Sequence, residues 1–429
     1  MVKQHISAKF KGTAYGFVEN SIRLSWNKFK LGDIGTFYSG LTGKSKKDFG
    51  TGSAKYITFL NVLCNPVIDT KILESVRISK NETQNLVAKG DLFFNTSSEI
   101  PEEVGMCAAL TEDSENTYLN SFCFGFRITN PEIDPLYLSY YFNSQEGRKI
   151  MRVLAQGATR YNLSKSNFSD IVILTPKRDE QIEIASALSD IYNLIVNLEK
   201  LIEKKKAIKQ GTMQELLTGK RRLNGFKSKW SNILFEETYN YAKEGGTPST
   251  SNALFYLKGN IPFVKIEDLG NKYIDSGRVY ITEEGIAHSS AWLIPPYSVI
   301  LSNGATIGEV SINKIPITTK QGILGIIPSD KITAEYLYYY FSSYQFREAL
   351  KKITTHGTMD CAYLKDINAI DLYVPTDINE QDAITKFLSD IDSEIEELEN
   401  KLEKYKKIKI GMMSELFTGR IRLISKEEE

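Results

Sequence analysis

The chain has 429 residues, 41% apolar and 25% charged, and exceeds the size at which one hydrophobic core keeps growing, so two or more domains are expected. No run of about 18 apolar residues could span a bilayer, and the opening MVKQHISAKFKGTAYGFVEN has positive charges but no apolar stretch after them, which argues against membrane insertion and export and for a cytoplasmic protein. Basic and acidic residues balance at 53 each, so a nucleic-acid partner would have to be met by local patches and not by net charge.

After an N-terminal segment (1–20), residues 21–178 alternate β-branched runs, turns and a few helices, the pattern of an α+β globule. Lysines cluster early, in GLTGKSKKDF (40–49). GDLFFNTSSE (90–99) reads as a hydrophobic strand running into small polar residues, and PLYLSYYFNSQEGRKIM (135–151) as an aromatic-rich helix whose spacing favours core packing over base stacking.

From 179 to 223 the pattern changes. Ile184, Leu188, Ile191, Ile195, Leu198 and Ile202 alternate steps of four and three, the 3.5-residue period of a coiled-coil seam. No proline interrupts the segment, and the only internal glycine is late, at Gly211. One helix of about 40 residues, roughly 60 Å long, is predicted, with Gly219 ending it.

Residues 224–378 form a second α+β globule in which the first is faintly legible: YSVILSNGAT (297–306) stands where the first has GDLFFNTSSE, AEYLYYYFSSYQFREAL (334–350) echoes the aromatic helix, and GTMDCAYLKDINAIDLYVP (357–375) follows GATRYNLSKSNFSDIVILTP (157–176). A second helical segment (379–425) and a short tail (426–429) close the chain. Its seam is Ile384, Leu388, Ile391, Ile395, Leu398 and Leu402. Residues 180–223 and 380–423 align without a gap, identical at 23 of 44 positions, and end as GTMQELLTGKRRL and GMMSELFTGRIRL. This is an internal duplication in which the helices stay alike and the globules diverge. The two seams are expected to pair with each other. Such a chain presents two different surfaces at one fixed separation.

The order globule, EQ…LS…I helix, globule, EQ…LS…I helix, with ELLTGKRRL and ELFTGRIRL closing the units, resembles the specificity subunit of Type I restriction-modification enzymes over nearly the whole chain. GGTPSTSNALFYLKGNIPFVKIEDL (245–269) looks like that family's opening of a target recognition domain; SGLTGKSKKDFGTGSAKYITFLNVL (39–63) departs from it by lacking the TPS. The resemblance implies two target recognition domains, each followed by a long helix, with the helices paired as an antiparallel coiled coil under pseudo-twofold symmetry. It implies double-stranded DNA as partner, one half of a split asymmetric target read by each domain, and methylation subunits, two in number, docked to modify adenine in each half-site. A restriction subunit is a further partner that the sequence leaves open.

Loops between strands would then touch DNA. In the first globule the candidates are Gly43, Lys44, Lys46 and Lys47, then Asn95, Thr96, Ser97 and Ser98, then Thr159, Arg160, Tyr161 and Asn162. In the second they are Gly246, Thr247, Ser249, Lys265, Ser302, Asn303, Lys320, Gln321, His356, Thr358 and Asp360. Lysine holds phosphate, Arg and Asn can pair bidentately with guanine and adenine edges, and small polar loops let backbone approach a phosphate. Arg160 and Asn303 stand out because each follows a glycine-containing or apolar segment into a polar loop. The basic ends 220–222 and 420–422 could hold phosphate or complement a helix dipole.

Catalytic readings are weaker. IPPY (294–297) has Ile294 where an amino-methyltransferase needs a polar group, FCFGF (122–126) has a single glycine, and TGKS (42–45) has Tyr38 in place of the first P-loop glycine. Cys64, Cys107, Cys123 and Cys361 form no CxxC pair, and His5, His288 and His356 lie far apart, so no metal site is expected. No catalytic residue and no cofactor are assigned. The rival classes are a self-contained DNA methyltransferase or nuclease, which needs a methyl-donor loop, and a coiled-coil adaptor, which does not need two large heads with polar loops.

Overall fold

The computed structural model describes residues 26–155, 157, 160–163, 165–355 and 360–423. The chain divides into two compact units: one runs to Glu199 and resumes at Lys401, and the other is Lys200–Asn400. Both boundaries fall inside the two long helices, Arg178–Leu216 and Ile378–Phe417. Each unit therefore consists of one globular head and two helical stretches, one from each long helix.

The first head is organised by the strand Asp91–Asn95, all of whose residues are buried. It lies between Cys123–Ile128 and Cys107–Ala109 in an antiparallel four-stranded sheet whose outer strand is Gly35–Ser39. Leu92 and Phe94 face one core with Phe124, Phe126, Tyr137 and Phe142, while Phe93 faces another with Ile57, Val62 and Leu119. A strand covered on both faces has to be apolar on both, which accounts for the unbroken LFF run. The one charge on it, Asp91, accepts hydrogen bonds from Arg127 Nε (2.9 Å), Arg127 Nη2 (2.7 Å) and Tyr38 Oη (2.6 Å), so the buried carboxylate is neutralised in place. A second sheet orders Glu74–Val76, Phe49–Ile57 and Thr117–Leu119.

The second head repeats the plan. Its five-stranded sheet orders Tyr239–Glu244, Ile323–Pro328, Val299–Ser302, Val310–Asn313 and Tyr273–Ile274, with the central Val299–Ser302 again fully buried. Gly325 pairs with Ile300 as Gly125 pairs with Phe93, which matches four of these strands in order to the four of the first head and leaves Tyr273–Ile274 as an addition. The aromatic helices, Pro135–Asn143 and Ala334–Ser342, are N-capped by Asp134 and Thr333. Tyr137, Phe142, Tyr336, Tyr339 and Phe341 are fully buried, in keeping with the core reading of these strings.

In each unit the two helical stretches run antiparallel. Glu199 pairs with Lys406 at 3.0 Å in the first unit, and Lys206 with Glu399 at 2.8 Å in the second, where Lys209 also meets Asp392. In the first unit Ile184, Leu188, Ile191 and Ile195 share a core with Leu402, Tyr405, Ile408, Met412, Leu416 and Phe417. In the second, Ile384 and Leu388 share one with Met213, Leu216 and Leu217. Leu198, Ile202 and Ile395 are buried as well, while Ile391, Leu398 and Leu402 are half-buried. The first two seam positions of each helix also belong to the core of the adjoining head, so they fasten the head as well as the helix pair.

The duplicated motifs meet at the helix ends. Gln181, fully buried, accepts from the Asp134 amide (2.9 Å) and donates to the carbonyls of Glu132 (3.0 Å) and Pro176 (2.9 Å). Gln381 accepts from Thr333 (3.0 Å) and donates to Lys331 (2.9 Å) and Pro375 (3.0 Å). The preceding glutamates receive the last arginines of the duplicated phrases. Arg422 reaches Glu180 through Nε (2.7 Å) and Nη2 (2.6 Å), and Arg222 reaches Glu380 through Nε (2.8 Å) and Nη2. These contacts explain why the phrase occurs twice: 411–423 closes the first unit and 211–223 closes the second. They also take Arg222 and Arg422 out of the phosphate reading of the basic ends, since both are committed to carboxylates, and Arg420 pairs with Glu415 at 2.8 Å. Gly219 (φ +69°) and Gly419 (φ +73°) take the left-handed turn that ends each helix, their amides donating to Leu216 and Leu416.

Candidate nucleic-acid interface

In the second head, backbone hydrogen bonds gather five loops at one end of the central sheet. Asn303 and Gly304 donate to Gly322 O (2.9 and 3.1 Å), Ala305 to Asp360 O (3.1 Å), Gly246 to Thr319 O (3.0 Å) and Lys320 to Val264 O (2.9 Å). Close approach of the 303–305 and 320–322 turns requires glycine: a Cβ on Gly304 would stand 3.1 Å from Gly322 Cα, and Gly322 has φ +87°. Thr247, Ser249, Thr306, Lys320 and Gln321 are exposed on these loops, and Lys265 is half-buried, 3.9 Å from Glu267. Ala305, with φ +55°, is exposed in a backbone conformation that L-residues rarely adopt.

Two candidates point the other way. Ser302 Oγ donates to Thr306 O (2.6 Å) and accepts from the Glu309 amide (2.8 Å). Asn303 is 1% exposed and donates from Nδ2 to Ala362 O (3.1 Å). Both residues shape the loop, and neither offers its side chain to a ligand in this arrangement; Asn303 Oδ1 has no hydrogen-bond partner. Gly246 is buried, Asp360 is half-buried, and His356 and Thr358 lie outside the described residues.

The first head forms the corresponding face from other residues. Thr96 donates through its amide (3.0 Å) and Oγ1 (2.9 Å) to Phe122 O, Leu163 donates to Thr96 O (2.9 Å), and Ser97–Ser98 pair with Tyr161–Asn162. Arg160, Asn162, Lys46 and Lys47 are exposed, Tyr161, Thr96 and Ser98 are half-buried, and Gly43 is exposed with φ +67°. Thr159 lies outside the described residues. Asn95 and Ser97 are buried; the Asn95 carboxamide donates to Glu103 O (2.9 Å) and accepts from the Met106 amide (2.7 Å), closing its loop. Lys44 also turns inward: Nζ, on a side chain only 5% exposed, donates to Arg77 O (2.6 Å) and Glu82 Oε2 (2.6 Å). Lys44, Asn95 and Ser302 spend their side-chain polar groups on closing their loops, and Ser97 and Asn303 are buried, so these five are scaffold in this structure.

The Lys44 ammonium also holds the Glu82 carboxyl below its usual range. A carboxyl depressed on folding contributes stability above its unfolded pKa and loses it as pH falls through the folded value. Lys44→Met is therefore expected to loosen residues 42–48 at neutral pH, read as severalfold faster trypsin cleavage after Lys46 and Lys47. In the wild type, the same loosening is expected only below the ordinary glutamate range; unchanged cleavage in the variant would count against the anchor.

Exposed Phe122 is a feature that sequence reasoning passed over as part of FCFGF, and only its exposure of 56% singles it out. Among the described residues no group of three His, Cys, Asp or Glu side chains is placed to hold a metal, and no helix is long and apolar enough to cross a membrane. In IPPY, Ile294 is fully buried and Tyr297 exposed.

The model of the Type I restriction modification DNA specificity domain matches this chain twice, over residues 24–210 and 227–407. A putative type I restriction enzyme specificity subunit, MjaX of Methanocaldococcus jannaschii, is 25% identical over 430 residues, covering 96% of this chain and 97% of its own. The MjaIX specificity subunit of the same organism is 34% identical over 176 residues, 40% of each chain. Among solved structures, the S subunit of a Type I restriction-modification system from M. genitalium superposes with a TM-score of 0.57 at 18% identity, covering 91% of this chain and 96% of that one, a likeness of fold. With both copies of the domain matched across most of its length, the chain belongs to the family of Type I restriction-modification DNA specificity subunits.

Proposed function

We propose that the two heads, residues 21–178 and 224–378, are target recognition domains, each reading one half of a bipartite, asymmetric site in double-stranded DNA. The helical segments 179–223 and 379–425 hold them at a fixed separation and serve as the dock for two methylation subunits that modify adenine; restriction subunits join where the system cleaves. The chain itself is a non-catalytic reader and works in the cytoplasm. The observation that carries this reading is the contrast between frame and face. The Gln181 and Gln381 clamps and the two Glu–Arg pairs are the same in both units, whereas the loop that bears Lys320, Gln321 and Gly322 in one head bears Asn120, Ser121 and Phe122 in the other. Similar frames with unlike faces suit two unlike half-sites. The named activity of the relatives as specificity subunits supports the same reading.

The test is to co-express the chain with the methylation subunit and map methylated adenines in host DNA. A split motif that depends on the chain is expected, and exchanging residues 224–378 for those of a relative should change one half of it while leaving the other intact. A stable complex with no motif would favour an adaptor without DNA reading.

A further inference from the structure

We infer that Phe122 determines specificity in the first head by making an apolar contact with a thymine 5-methyl group in the major groove. The inference rests on the proposal that this head reads a half-site, and it adds the chemistry of one contact. An isolated exposed ring needs no explanation on most surfaces. Here the backbone that carries the ring is fixed on both sides. The Phe122 amide donates to Asn120 Oδ1 (2.8 Å), the Cys123 amide donates to Asn120 O (3.1 Å), and the Asn120 amide donates to Ile57 O (3.0 Å). The Phe122 carbonyl accepts from both Thr96 donors, which ties the turn to the strand pair of Ser97–Ser98 and Tyr161–Asn162. On the other side, Gly40 donates to Cys123 O (3.3 Å), bringing in the loop that leads to Lys46 and Lys47. The Phe122 turn is therefore joined by backbone hydrogen bonds to the strand pair that carries the exposed Asn162 and, through Gly40, to the chain that leads into the loop with Lys46 and Lys47.

The second head has glycine at this position. Asn303 donates to Gly322 O as Thr96 donates to Phe122 O, and Gly322 carries no side chain. Phe122 is thus a side chain one face has and the other lacks, which is the kind of difference that makes two half-sites unequal. Its neighbours select the groove. Asn162 Nδ2 already donates to Arg160 O (3.1 Å), so the choice rests on the exposed Arg160, whose guanidinium can pair bidentately with guanine in the major groove, where the thymine methyl is the apolar group on a base edge.

The experiment uses the full chain assembled with its methylation subunits, once the motif is known. Duplexes carrying deoxyuridine in place of each thymine of the half-site read by residues 21–178 are compared with the parent in competition binding, for the wild type and for Phe122→Ala. Loss of one methyl contact is expected to weaken wild-type binding about fourfold at a single position. Phe122→Ala should weaken parent binding similarly and be indifferent to deoxyuridine there, with an unchanged urea midpoint confirming an intact head. The inference is overturned if the half-site contains no thymine, if Phe122→Ala keeps the wild-type sensitivity to deoxyuridine, or if it weakens parent and substituted duplexes alike while straightening the DNA, as removal of a wedge would. Absence of any motif would instead defeat the half-site reading itself, so the two failures are distinguishable.

Discussion

Gln381→Leu is expected to destabilise the second unit by about 3–5 kcal/mol, because each buried polar group left without a partner costs roughly 1–3 kcal/mol and leucine, of similar volume, strands three of them. The groups are the Thr333 amide and the carbonyls of Lys331 and Pro375, which converge on one fully buried carboxamide. They belong to the cap of the aromatic helix, the loop before it and the end of the strand that feeds the long helix. A carboxamide supplies two donors and an acceptor without charge, which suits it to meet two carbonyls and an amide at once. Urea unfolding followed by tryptophan fluorescence from Trp230, buried in the same core, measures the effect. A loss under about 1 kcal/mol would mean that water or backbone adjustment replaces the carboxamide and that the clamp is dispensable. Gln181→Leu should act alike on the first unit, where the Asp134 amide and the carbonyls of Glu132 and Pro176 are stranded.

Arg422→Met should cost about 2–3 kcal/mol, somewhat below the 3–5 kcal/mol of a fully buried broken pair because the guanidinium is partly open to water. The side chain of Glu180 is 8% exposed and that of Arg422 27%, and Glu180 Oε1 also accepts from the Leu423 amide at 3.2 Å. Removing the arginine leaves a buried carboxylate with one neutral donor. The sharper measurement is a double-mutant cycle with Glu180→Gln. Two groups that act only through each other should show a coupling of about 1–3 kcal/mol, and additivity within about 0.5 kcal/mol would show that Arg422 stabilises the unit by packing alone. Loss of this pair should also release residues 411–423 from the first head, seen as faster amide exchange there and not at 211–223. Burial of Phe417 against Tyr137 and Tyr141, with ring centroids 5.3 and 5.6 Å apart, sets a floor on that release.

Much of the frame was legible from residues alone, for a definite reason. A helix buries one stripe, so its apolar residues recur at 3.5-residue steps, and Ile184 to Leu198 announce the seam without knowledge of its partner. A left-handed backbone at a helix end favours glycine, so Gly219 and Gly419 mark where the helices stop. The aromatic strings, at helical spacing, read as core and are core. The candidate interface was legible only in part. Lysines, asparagines and serines in loops look alike whether they face solvent or close the loop on itself, and tight turns leave backbone amides and carbonyls that such side chains are suited to satisfy. Asn95, Ser302 and Asn303 went inward for that reason, Lys44 because Glu82 and the Arg77 carbonyl lie 33 or more residues away in sequence yet beside it in space.

Composition, period and duplication by themselves determined that this protein has two α+β heads, two long helices and a seam on each, because these depend on contacts between near neighbours along the chain. Tertiary structure decided which duplicated phrase closes which unit. Glu180 and Glu380 are alike, and so are Arg222 and Arg422, so local sequence cannot choose between them. A rigid helix rises about 1.5 Å per residue and carries its last turn far from its first. Arg222 is thereby removed from Glu180 and delivered to Glu380, and Arg422 to Glu180.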